Sequence, residues 1–298
     1  MPVDISVIKN KRSRIKNPVF SILIPSWNNL PYLKLCIGSI RKNARYDHQI
    51  IVHINESTDG TLSWVETETD LDYTYSKTNI GICFALNIAR SLADAEYILY
   101  LNDDMYICPG WDLALYTEIT AIGHRSFFLS STMIEPLDTG NQCVIVKDYG
   151  RDFGDFREQD LLAEFAGLPK TDWQGATWPP NIVHRDLWDL VGGYSIEFSP
   201  GMNSDPDFSM KLWKAGVRLY KGVSKSRVYH FGCKSTGRIK QDDGPARFFA
   251  KWQMPSSVLS RYYLRRGKPF DGPLNEPVLP RRLVLKNFYK KISALLRG

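Results

Sequence analysis

Short apolar runs alternate with amphipathic stretches along the first hundred residues. Residues 19–25 (VFSILIP) are apolar, rich in β-branched side chains and closed by a proline, which is typical of a buried parallel strand. Similar runs predict strands at 49–54, 71–76 and 97–101, and helical apolar spacing predicts helices at 31–42, 61–68 and 81–92. Strands that alternate with helices favour an α/β fold with a mostly parallel, Rossmann-like sheet flanked by helices.

The pattern is weaker in the second half of the chain. Residues 130–172 contain several glycines and many charges, so a long, partly irregular excursion is predicted there. A strand, a turn and a helix are predicted over 177–193, a helix over 204–216, and one or two strands over 218–230. We therefore expect an N-terminal extension (1–17), one domain (18–266) with an excursion at 130–178, and a C-terminal tail (267–298).

Composition narrows the class of protein. The chain has 298 residues, of which 43% are hydrophobic and 23% charged, which is ordinary for a globular protein with a sizeable core. The net charge of +6 is spread over the chain without a basic stripe before the tail, which disfavours nucleic-acid binding. Five cysteines without a C-x-x-C pair disfavour a disulfide framework or a zinc cage and suit a reducing compartment. We find no secretory signal and no apolar run of 18 residues, and we expect a cytoplasmic protein.

Two acidic residues follow the strand predicted at 97–101. Asp103 and Asp104 are adjacent, repel each other and lose hydration at the end of a buried strand. A bound Mg²⁺ or Mn²⁺ would compensate, because hard cations prefer oxygen ligands and complete their shell with substrate phosphates. An ordinary acidic turn or helix cap explains the same residues. The pair alone leaves both interpretations open.

Three further segments carry candidate chemistry. His230 ends the strand predicted over 218–230 and is either a ligand for a Mn²⁺-like metal or a core histidine bonded to backbone. Lys234 and Arg238 follow it in a glycine-containing stretch that suits either a loop closing over a pyrophosphate or a solvated basic loop. Asp205 and Asp207 lie near the start of the helix predicted at 204–216; we predict a helix cap for Asp207, whereas Asp205 either caps the helix or faces a cleft.

Several segments between residues 19 and 238 follow the order and approximate spacing of one known family. They are ILIPSWNN at 22–29, NESTDGT at 55–61, NIG at 79–81, ALN at 85–87, NDD at 102–104, VHRDLWDLVGGY at 183–194, DPDFSMKL at 205–212 and YH at 229–230. Together they resemble the family 2 glycosyltransferases of GT-A fold. The resemblance implies an enzyme that moves a sugar from a nucleotide-diphosphate-sugar to an acceptor hydroxyl, with a divalent cation and inversion, in surface polysaccharide or glycan assembly.

The resemblance assigns a role to each matching position. Asp104 and His230 correspond to ligands of the cation, Mn²⁺ or Mg²⁺, that bridges the donor's diphosphate, and Asp205 corresponds to the acid that deprotonates the acceptor. The residues implied in donor binding are Pro25, Ser26, Asn28, Asn55 and Asp59 around the nucleotide, Asn79 and Gly81 beside it, Asp103 near the ribose and the sugar, and Lys234 and Arg238 over the diphosphate. The donor is expected to be UDP-, dTDP- or GDP-linked.

Three positions depart from the family's pattern. Asn102 stands where an aspartate usually opens the metal motif, which lowers the local charge. Asn55, or Ile54 if the alignment shifts by one residue, stands where relatives carry an acid against the nucleobase. The amide carbonyl of Asn55 still accepts a base N–H. Ser204 replaces an acidic neighbour of the general base. Acceptor choice is expected to lie within residues 130–178, the part least like the family.

The tail has the pattern of a basic amphipathic helix. Within residues 283–296, apolar side chains recur at helical spacing and are surrounded by lysines and arginines. Such a helix either lies on an anionic membrane, docks on the body, or fills a homodimer seam. Membrane contact would suit a lipid-linked glycan acceptor and a peripheral position on the cytoplasmic face.

Two other classes compete with a glycosyltransferase. A sugar-1-phosphate nucleotidyltransferase shares the α/β sheet and acidic metal residues, but it should carry a glycine-rich basic loop where this chain has PSWNN at 25–29. A non-catalytic nucleotide-sugar or glycan-binding protein would not need Asp104, His230 and Asp205 together.

Overall fold

The computed structural model describes residues 7–232 and 243–283, which form one sheet with helices on both faces. The strands are β1 (Val7–Asn10), β2 (Phe20–Ser26), β3 (Gln49–Asn55), β4 (Leu71–Ser76), β5 (Tyr97–Tyr100), β6 (Met105–Ile107), β7 (Phe127–Glu135), β8 (Ile145–Val146), β9 (Trp173–Gln174), β10 (Asn181–His184) and β11 (Leu219–His230). The helices are α1 (Leu30–Asn43), α2 (Thr61–Thr67), α3 (Ile82–Arg90), α4 (Trp111–Ile122), α5 (Glu158–Glu164), α6 (Arg185–Leu190), α7 (Ser204–Lys214), α8 (Gly244–Trp252) and α9 (Ser256–Val258). Single 3₁₀ turns lie at Phe165–Gly167 and Ile196–Phe198.

The described strands run in the order β1-β4-β3-β2-β5-β10-β7-β11-β6, with β8 beside β7 and β9 beside β11. Strands β2 to β5 are mutually parallel. Because β10 is antiparallel to both β5 and β7, and β11 is parallel to β7, strands β7 and β11 point the same way as β5. The carboxyl ends of β2 to β5, β7 and β11 therefore lie along one edge, where open α/β sheets bind their ligands. The predicted α/β fold with a mostly parallel sheet is confirmed.

Apolar side chains of the central strands are buried on both faces of the sheet. In β2, Ile22 and Ile24 face α1 and α4, whereas Leu23 faces α3 and α7, as the two-residue period of a strand requires. Each fully buried side chain of this size contributes about 1.5–3 kcal/mol by leaving water. Double-sided burial explains why the strands read as continuous apolar runs. It also holds the strand ends, and the polar loops after them, in fixed relative positions.

The structure differs from the sequence expectation at β7. Residues 127–135 are a nine-residue strand in the middle of the sheet, not the beginning of an irregular excursion. Polar side chains concealed the strand in the sequence: the Ser131 hydroxyl hydrogen-bonds that of Ser226 at 2.7 Å, and Thr132 Oγ1 donates to the Val223 carbonyl at 3.0 Å. The buried hydroxyls are paired, so this strand tolerates them.

The segments at the two ends of the domain also join the body. Residues 7–10 add the edge strand β1, antiparallel to β4. After residue 266, the Lys268 carbonyl accepts from Gln174 N–H at 2.8 Å and Leu274 N–H donates to the Arg218 carbonyl at 2.8 Å. Packing therefore continues beyond the expected domain boundary. The predicted amphipathic helix lies outside the described residues except for its first position.

Two further findings concern the length of the helices and the state of the cysteines. None of the helices within residues 7–232 and 243–283 combines the length and the apolar character needed to cross a bilayer. The four cysteines in this part of the chain, Cys36, Cys83, Cys108 and Cys143, are buried free thiols.

Candidate active site

The turn after β5 brings Asp104 to His230. The chain leaves β5 at Tyr100, turns through residues 101–104, and returns as β6, which pairs antiparallel with the end of β11 so that Met105 faces His230. The Phe231 N–H donates to the Asp104 carbonyl at 3.2 Å, which fixes this register. As a result Asp104 Oδ1 lies 3.6 Å from His230 Nε2, although the two residues are remote in sequence.

Glu135 holds the other side of the His230 ring. It ends β7, whose parallel pairing with β11 places Ile134 opposite Tyr229 and therefore Glu135 beside His230. The Glu135 Oε1 atom lies 2.9 Å from His230 Nδ1. Burial lowers the pKa of His230, but the charge of Asp104 and the bond to Glu135 outweigh it and raise that pKa above its ordinary value. Sequence reasoning missed Glu135, because strand β7 was not predicted and the contact depends on its pairing with β11.

These side chains are suited to complete a cation site but not to form one alone. No group of three or more His, Cys, Asp and Glu side chains able to hold a metal ion occurs within the described ranges. Two ligands of one ion at about 2.1 Å lie about 3.0 Å apart when adjacent and about 4.2 Å apart when opposite. The separation of 3.6 Å between Asp104 and His230 falls between these limits. A Mg²⁺- or Mn²⁺-like ion keeps waters and substrate phosphates as its other ligands. Asp104 and His230 therefore fit as the protein ligands of such an ion.

Asp103, in the same turn as Asp104, contacts the end of the neighbouring strand β2. Its Oδ2 accepts a hydrogen bond of 2.7 Å from Ser26 Oγ, at the end of β2. Pro25 precedes Ser26 in β2, in register with His53 of β3. The structure thus brings Pro25, Ser26 and Asp103 together at the strand ends, as predicted.

The loops that follow β2, β3 and β4, at residues 27–29, 56–60 and 77–81, are named here the β2–β4 loops. Predicted donor-binding residues in and beside these loops bond to the chain itself. Asn28 Oδ1 accepts from Thr58 N–H at 2.8 Å, and Asp59 accepts from Leu30 N–H at 2.8 Å and from Thr61 N–H at 3.0 Å. Burial raises the pKa of Asp59, but these hydrogen bonds outweigh it and lower that pKa. The two side chains therefore shape the loops.

Asn55 fastens the loop after β4 to β3. Its Oδ1 accepts from Ile80 N–H at 3.0 Å and lies 3.3 Å from Nε2 of the buried His53. Burial lowers the pKa of His53 to about 4, so its ring is neutral at pH 7. The expected acceptor for a nucleobase N–H is thus already bonded inside the protein.

Asn79 and Gly81 join the loop after β4 to the loop that leads into α7. Asn79 Oδ1 accepts from Gly81 N–H at 2.9 Å, and Ile82 N–H donates to the Pro200 carbonyl at 3.1 Å. Gly81 has φ +78°, and a Cβ atom there would lie 3.0 Å from Pro200 Cα. Glycine is required at this junction because both the backbone conformation and the close contact exclude a side chain.

Trp27 and Glu56 form a pair that sequence reasoning did not single out. Trp27 Nε1 donates to Glu56 Oε2 at 3.0 Å across the ends of β2 and β3. Glu56 has φ +55°, an uncommon backbone conformation for a residue with a side chain. The available signal was a glutamate inside an otherwise turn-like stretch, NESTDG.

Asp205 lies in the first turn of α7, on the opposite face of the sheet from α1. Its Oδ1 accepts from the Tyr194 hydroxyl at 3.0 Å. Its side chain keeps some solvent access, but the surrounding protein desolvates the carboxylate and raises its pKa to about 7, with the Tyr194 bond opposing the rise. A carboxyl group that exchanges its proton near neutral pH meets the requirement for a general base.

The charges of both groups of acids act on Tyr100, the last residue of β5. Burial raises its pKa well above the ordinary value, and the charges of Asp205, Cys83, Asp104 and Asp103 add to that rise. All these groups therefore lie near enough to act on one hydroxyl. We name Asp103, Asp104, Glu135, His230 and Asp205 the charged centre.

Asp207 does not act as the predicted helix cap. It is fully buried, and its Oδ1 accepts from Trp252 Nε1 at 2.8 Å and from Lys251 Nζ at 2.9 Å. It therefore ties α7 to α8, because burial favours an ionic partner over an exposed capping position. Lys234 and Arg238, expected over the diphosphate, lie outside the described residues.

Comparison with known proteins finds similarity to glycosyltransferases. Residues 21–152 match the sequence model described as "Glycosyl transferase family 2". A PGL/p-HBAD biosynthesis glycosyltransferase of Mycobacterium tuberculosis is 24% identical over 227 residues, 72% of this chain and 78% of that protein. The chondroitin synthase of Pasteurella multocida is 33% identical over 95 residues, which are 31% of this chain but only 10% of the synthase.

Solved structures show the same fold. The S. aureus TarS structure of residues 1–349 has a TM-score of 0.52 and 20% identity, and covers 71% of this chain and 60% of TarS 1–349. The TarS structure in complex with UDP-GlcNAc has a TM-score of 0.55 and 18% identity, and covers 78% of this chain and 64% of that one.

Proposed function

We propose that this chain, whose residues 21–152 match the family 2 glycosyltransferase model, transfers a sugar from a nucleoside-diphosphate-sugar to an acceptor hydroxyl with inversion, assisted by a divalent cation. The approach of Asp104 to His230 at 3.6 Å, with Asp205 acting on the same Tyr100, is the observation that carries the proposal. This observation supports a cation-binding pair and a proton acceptor that act near the carboxyl end of β5.

Asp104 and His230 would hold the cation, and Glu135 would hold the His230 ring so that Nε2 faces it. Bound there against the diphosphate, a Mg²⁺ or Mn²⁺ ion would stabilise the negative charge that develops on the leaving group without a proton transfer. Ser26 and Asp103, bonded to each other at 2.7 Å, would contact the ribose and the sugar. Each named residue thus binds or orients a different part of the donor.

Asp205 would take the acceptor's proton. As the acceptor oxygen bonds to the anomeric carbon, the bond from that carbon to the diphosphate oxygen breaks, and the proton passes from the acceptor hydroxyl to the Asp205 carboxylate. A pKa of about 7 leaves this carboxylate ionised in a large fraction of molecules at neutral pH and makes it a stronger base than an ordinary aspartate. Attack opposite the leaving group would invert the configuration.

We place a uridine donor first among UDP-, dTDP- and GDP-linked sugars. The support is the similarity of fold to TarS, whose structure is described in complex with UDP-GlcNAc. The β2–β4 loops would enclose the nucleotide, with the Trp27–Glu56 pair at 3.0 Å available on their surface. We propose a glycan or lipid-linked glycan as the acceptor.

A panel of nucleotide-sugars tests the proposal. Release of nucleoside diphosphate is measured with Mn²⁺, with Mg²⁺ and after removal of metal by EDTA, first without acceptor and then with candidate glycans. We expect one UDP-sugar to be consumed in a metal-dependent reaction that Asp104→Ala abolishes. Equal turnover in EDTA would contradict the cation assignment. NMR of the product would contradict inversion if the anomeric configuration were retained.

A further inference from the structure

The Tyr194 side chain is buried in contact with Asp205. It is 1% exposed, and its hydroxyl donates to Asp205 Oδ1 at 3.0 Å. No donor within the described residues bonds to the other oxygen, Oδ2. One carboxylate oxygen is thus held by the protein, and the residue as a whole keeps some solvent access.

Three aromatic rings fix the Tyr194 ring. Phe208 stacks on it with centroids 4.6 Å apart and an angle of 6°, Tyr100 meets it edge-on at 5.8 Å, and Trp188 packs at 5.5 Å. The contacts come from α7, β5 and α6, so the ring position is set by three separate elements. A phenylalanine would keep every one of these ring contacts, and the hydroxyl is therefore not needed for the packing.

The backbone of Tyr194 is clamped as firmly as its ring. Asn87 on α3 accepts from Tyr194 N–H at 2.9 Å and donates to its carbonyl at 2.7 Å. The preceding Gly193 has φ +61°, and a Cβ atom there would lie 2.2 Å from Asn87 Oδ1. Only glycine allows this approach.

Asn181 determines where the Tyr194 proton points. Its Nδ2 lies 3.5 Å from the Tyr194 oxygen and can only donate to it. A tyrosine hydroxyl has a single proton, and of its two polar partners only Asp205 can accept it. The hydroxyl therefore acts as a fixed donor to the carboxylate.

We propose that Tyr194 is a positioning residue, which orients Asp205 by holding Oδ1 so that Oδ2 faces the acceptor hydroxyl. This inference rests on the proposed role of Asp205 as the base. The titratable groups that face Asp205 are Tyr194 itself, Tyr100 from β5 and Cys83 from α3, with Asp207 further along α7. Tyr194 is the one among them that donates a hydrogen bond to Asp205.

The test compares Tyr194→Phe with Tyr220→Phe. Both remove a buried hydroxyl from the same core, but the Tyr220 hydroxyl donates to the Ser209 carbonyl at 2.9 Å and does not contact Asp205. The pKa of Asp205 is measured by ¹³C NMR of labelled aspartate, assigned with Asp205→Asn, and the pH dependence of kcat/KM is measured in parallel.

In Tyr194→Phe we expect the pKa of Asp205 to rise from about 7 by roughly one unit, because a hydrogen bond that favours the charged form is lost. The acid limb of kcat/KM should move up by the same amount, so that activity at pH 6 falls about tenfold, while donor KM, and thermal stability at about pH 6 or below, stay near wild type. Tyr220→Phe should leave both titrations in place.

Two results would contradict the proposal in different ways. An unchanged Asp205 pKa in folded Tyr194→Phe would overturn the inference about Tyr194. An Asp205 pKa that shifts while the rate profile of the same variant does not would show that Asp205 is not the base, and would overturn the proposed function together with the positioning role.

Discussion

The β2–β4 loops and the charged centre lie along the same edge of the sheet but use their polar groups differently. In the loops, Asn28, Asn55 and Asp59 accept hydrogen bonds from nearby backbone N–H groups and so determine the shape of the loops. In the charged centre, Asp104 and Glu135 lie on either side of the His230 ring, at 3.6 and 2.9 Å, and burial raises the pKa of Asp205 on α7. Side chains of the same type thus form a framework in one region and candidate reactive groups in the other.

Residue type near a strand end is therefore insufficient evidence for a catalytic role. Burial of a carboxylate such as Asp205 without a cationic partner raises the free energy of the unliganded protein, and folding alone gives no reason to retain it. A framework carboxylate such as Asp59 instead has a lowered pKa, because it is bonded to N–H donors. Substitutions should therefore affect turnover in the charged centre and stability in the loops.

Replacing Asp104 should have the largest effect. Asp104→Ala removes one of the two protein ligands of the proposed cation site, and we expect kcat/KM to fall about 10³-fold, corresponding to about 4 kcal/mol of lost transition-state stabilisation. Steady-state rates at saturating Mn²⁺ give the value. Circular dichroism provides the control for folding, and a loss below about tenfold in a folded variant would contradict the assignment.

Asp205→Asn should remove the proton acceptor and reduce kcat about 10²- to 10³-fold without weakening donor binding. In the wild type, kcat/KM should rise with pH through about 7, as Asp205 loses its proton.

The stability of the wild type should fall as pH rises, whereas kcat/KM rises. The folded protein binds the Asp205 proton more tightly than the unfolded chain does between about pH 4 and 7, so the wild type loses stability as pH rises through that window. The Tm of Asp205→Asn should therefore exceed that of the wild type at pH 8, and this advantage should disappear near pH 4. A lower Tm at pH 8 would indicate a structural role for the carboxylate.

Glu135→Gln tests whether Glu135 belongs to the charged centre. The amide can still contact His230 Nδ1 but loses the charge that orients the ring, and we expect Mn²⁺ affinity to fall about tenfold. Isothermal titration with Mn²⁺ and UDP measures it without turnover. The matched control is Glu118→Gln, which removes a carboxylate bonded to Lys221 at 2.7 Å, away from His230, and should leave Mn²⁺ affinity unchanged. Equal affinities in the two variants would exclude Glu135 from the charged centre.

Asp59→Asn should have the smallest effect on turnover. It weakens the bonds to Leu30 and Thr61 N–H, and we expect a loss of about 1 kcal/mol in stability with kcat within about twofold of wild type. Because the pKa of Asp59 is lowered in the folded protein, this contribution is present above its unfolded value and lost as pH falls through the folded one. Thermal unfolding at pH 7 and pH 3 measures the difference. A large fall in kcat would show that Asp59 takes part in turnover, as proposed for the residues of the charged centre.

The sequence predicted those parts of the molecule that depend on local pattern. Strands β2 to β5 and helix α1 were located to within one or two residues, because burial on one or both faces imposes a regular apolar spacing. Strand β7 was missed because its Ser130, Ser131 and Thr132 are polar, and their partners come from distant segments of the chain.

Only part of the active site could be predicted, because some of its contacts join segments that are distant in the sequence. Asp104 and His230 could be named from motifs, but Glu135 could not, because its contact with His230 depends on the pairing of strands 95 residues apart. Likewise the Tyr194 bond to Asp205 follows from the packing of α6 and α7 against β5. Neither contact leaves a periodic signal in the chain.

Binding of one cation by Asp104 and His230 against the donor's diphosphate underlies the whole proposed mechanism. Pulsed EPR of Mn²⁺ in the complex with UDP, using protein labelled with ¹⁵N-histidine, detects this coordination without turnover. We expect a histidine nitrogen coupled to Mn²⁺ in the wild type, its loss in His230→Gln, and weakened Mn²⁺ binding in Asp104→Ala. A Mn²⁺–UDP complex bound to the protein without any histidine coupling would contradict the cation site.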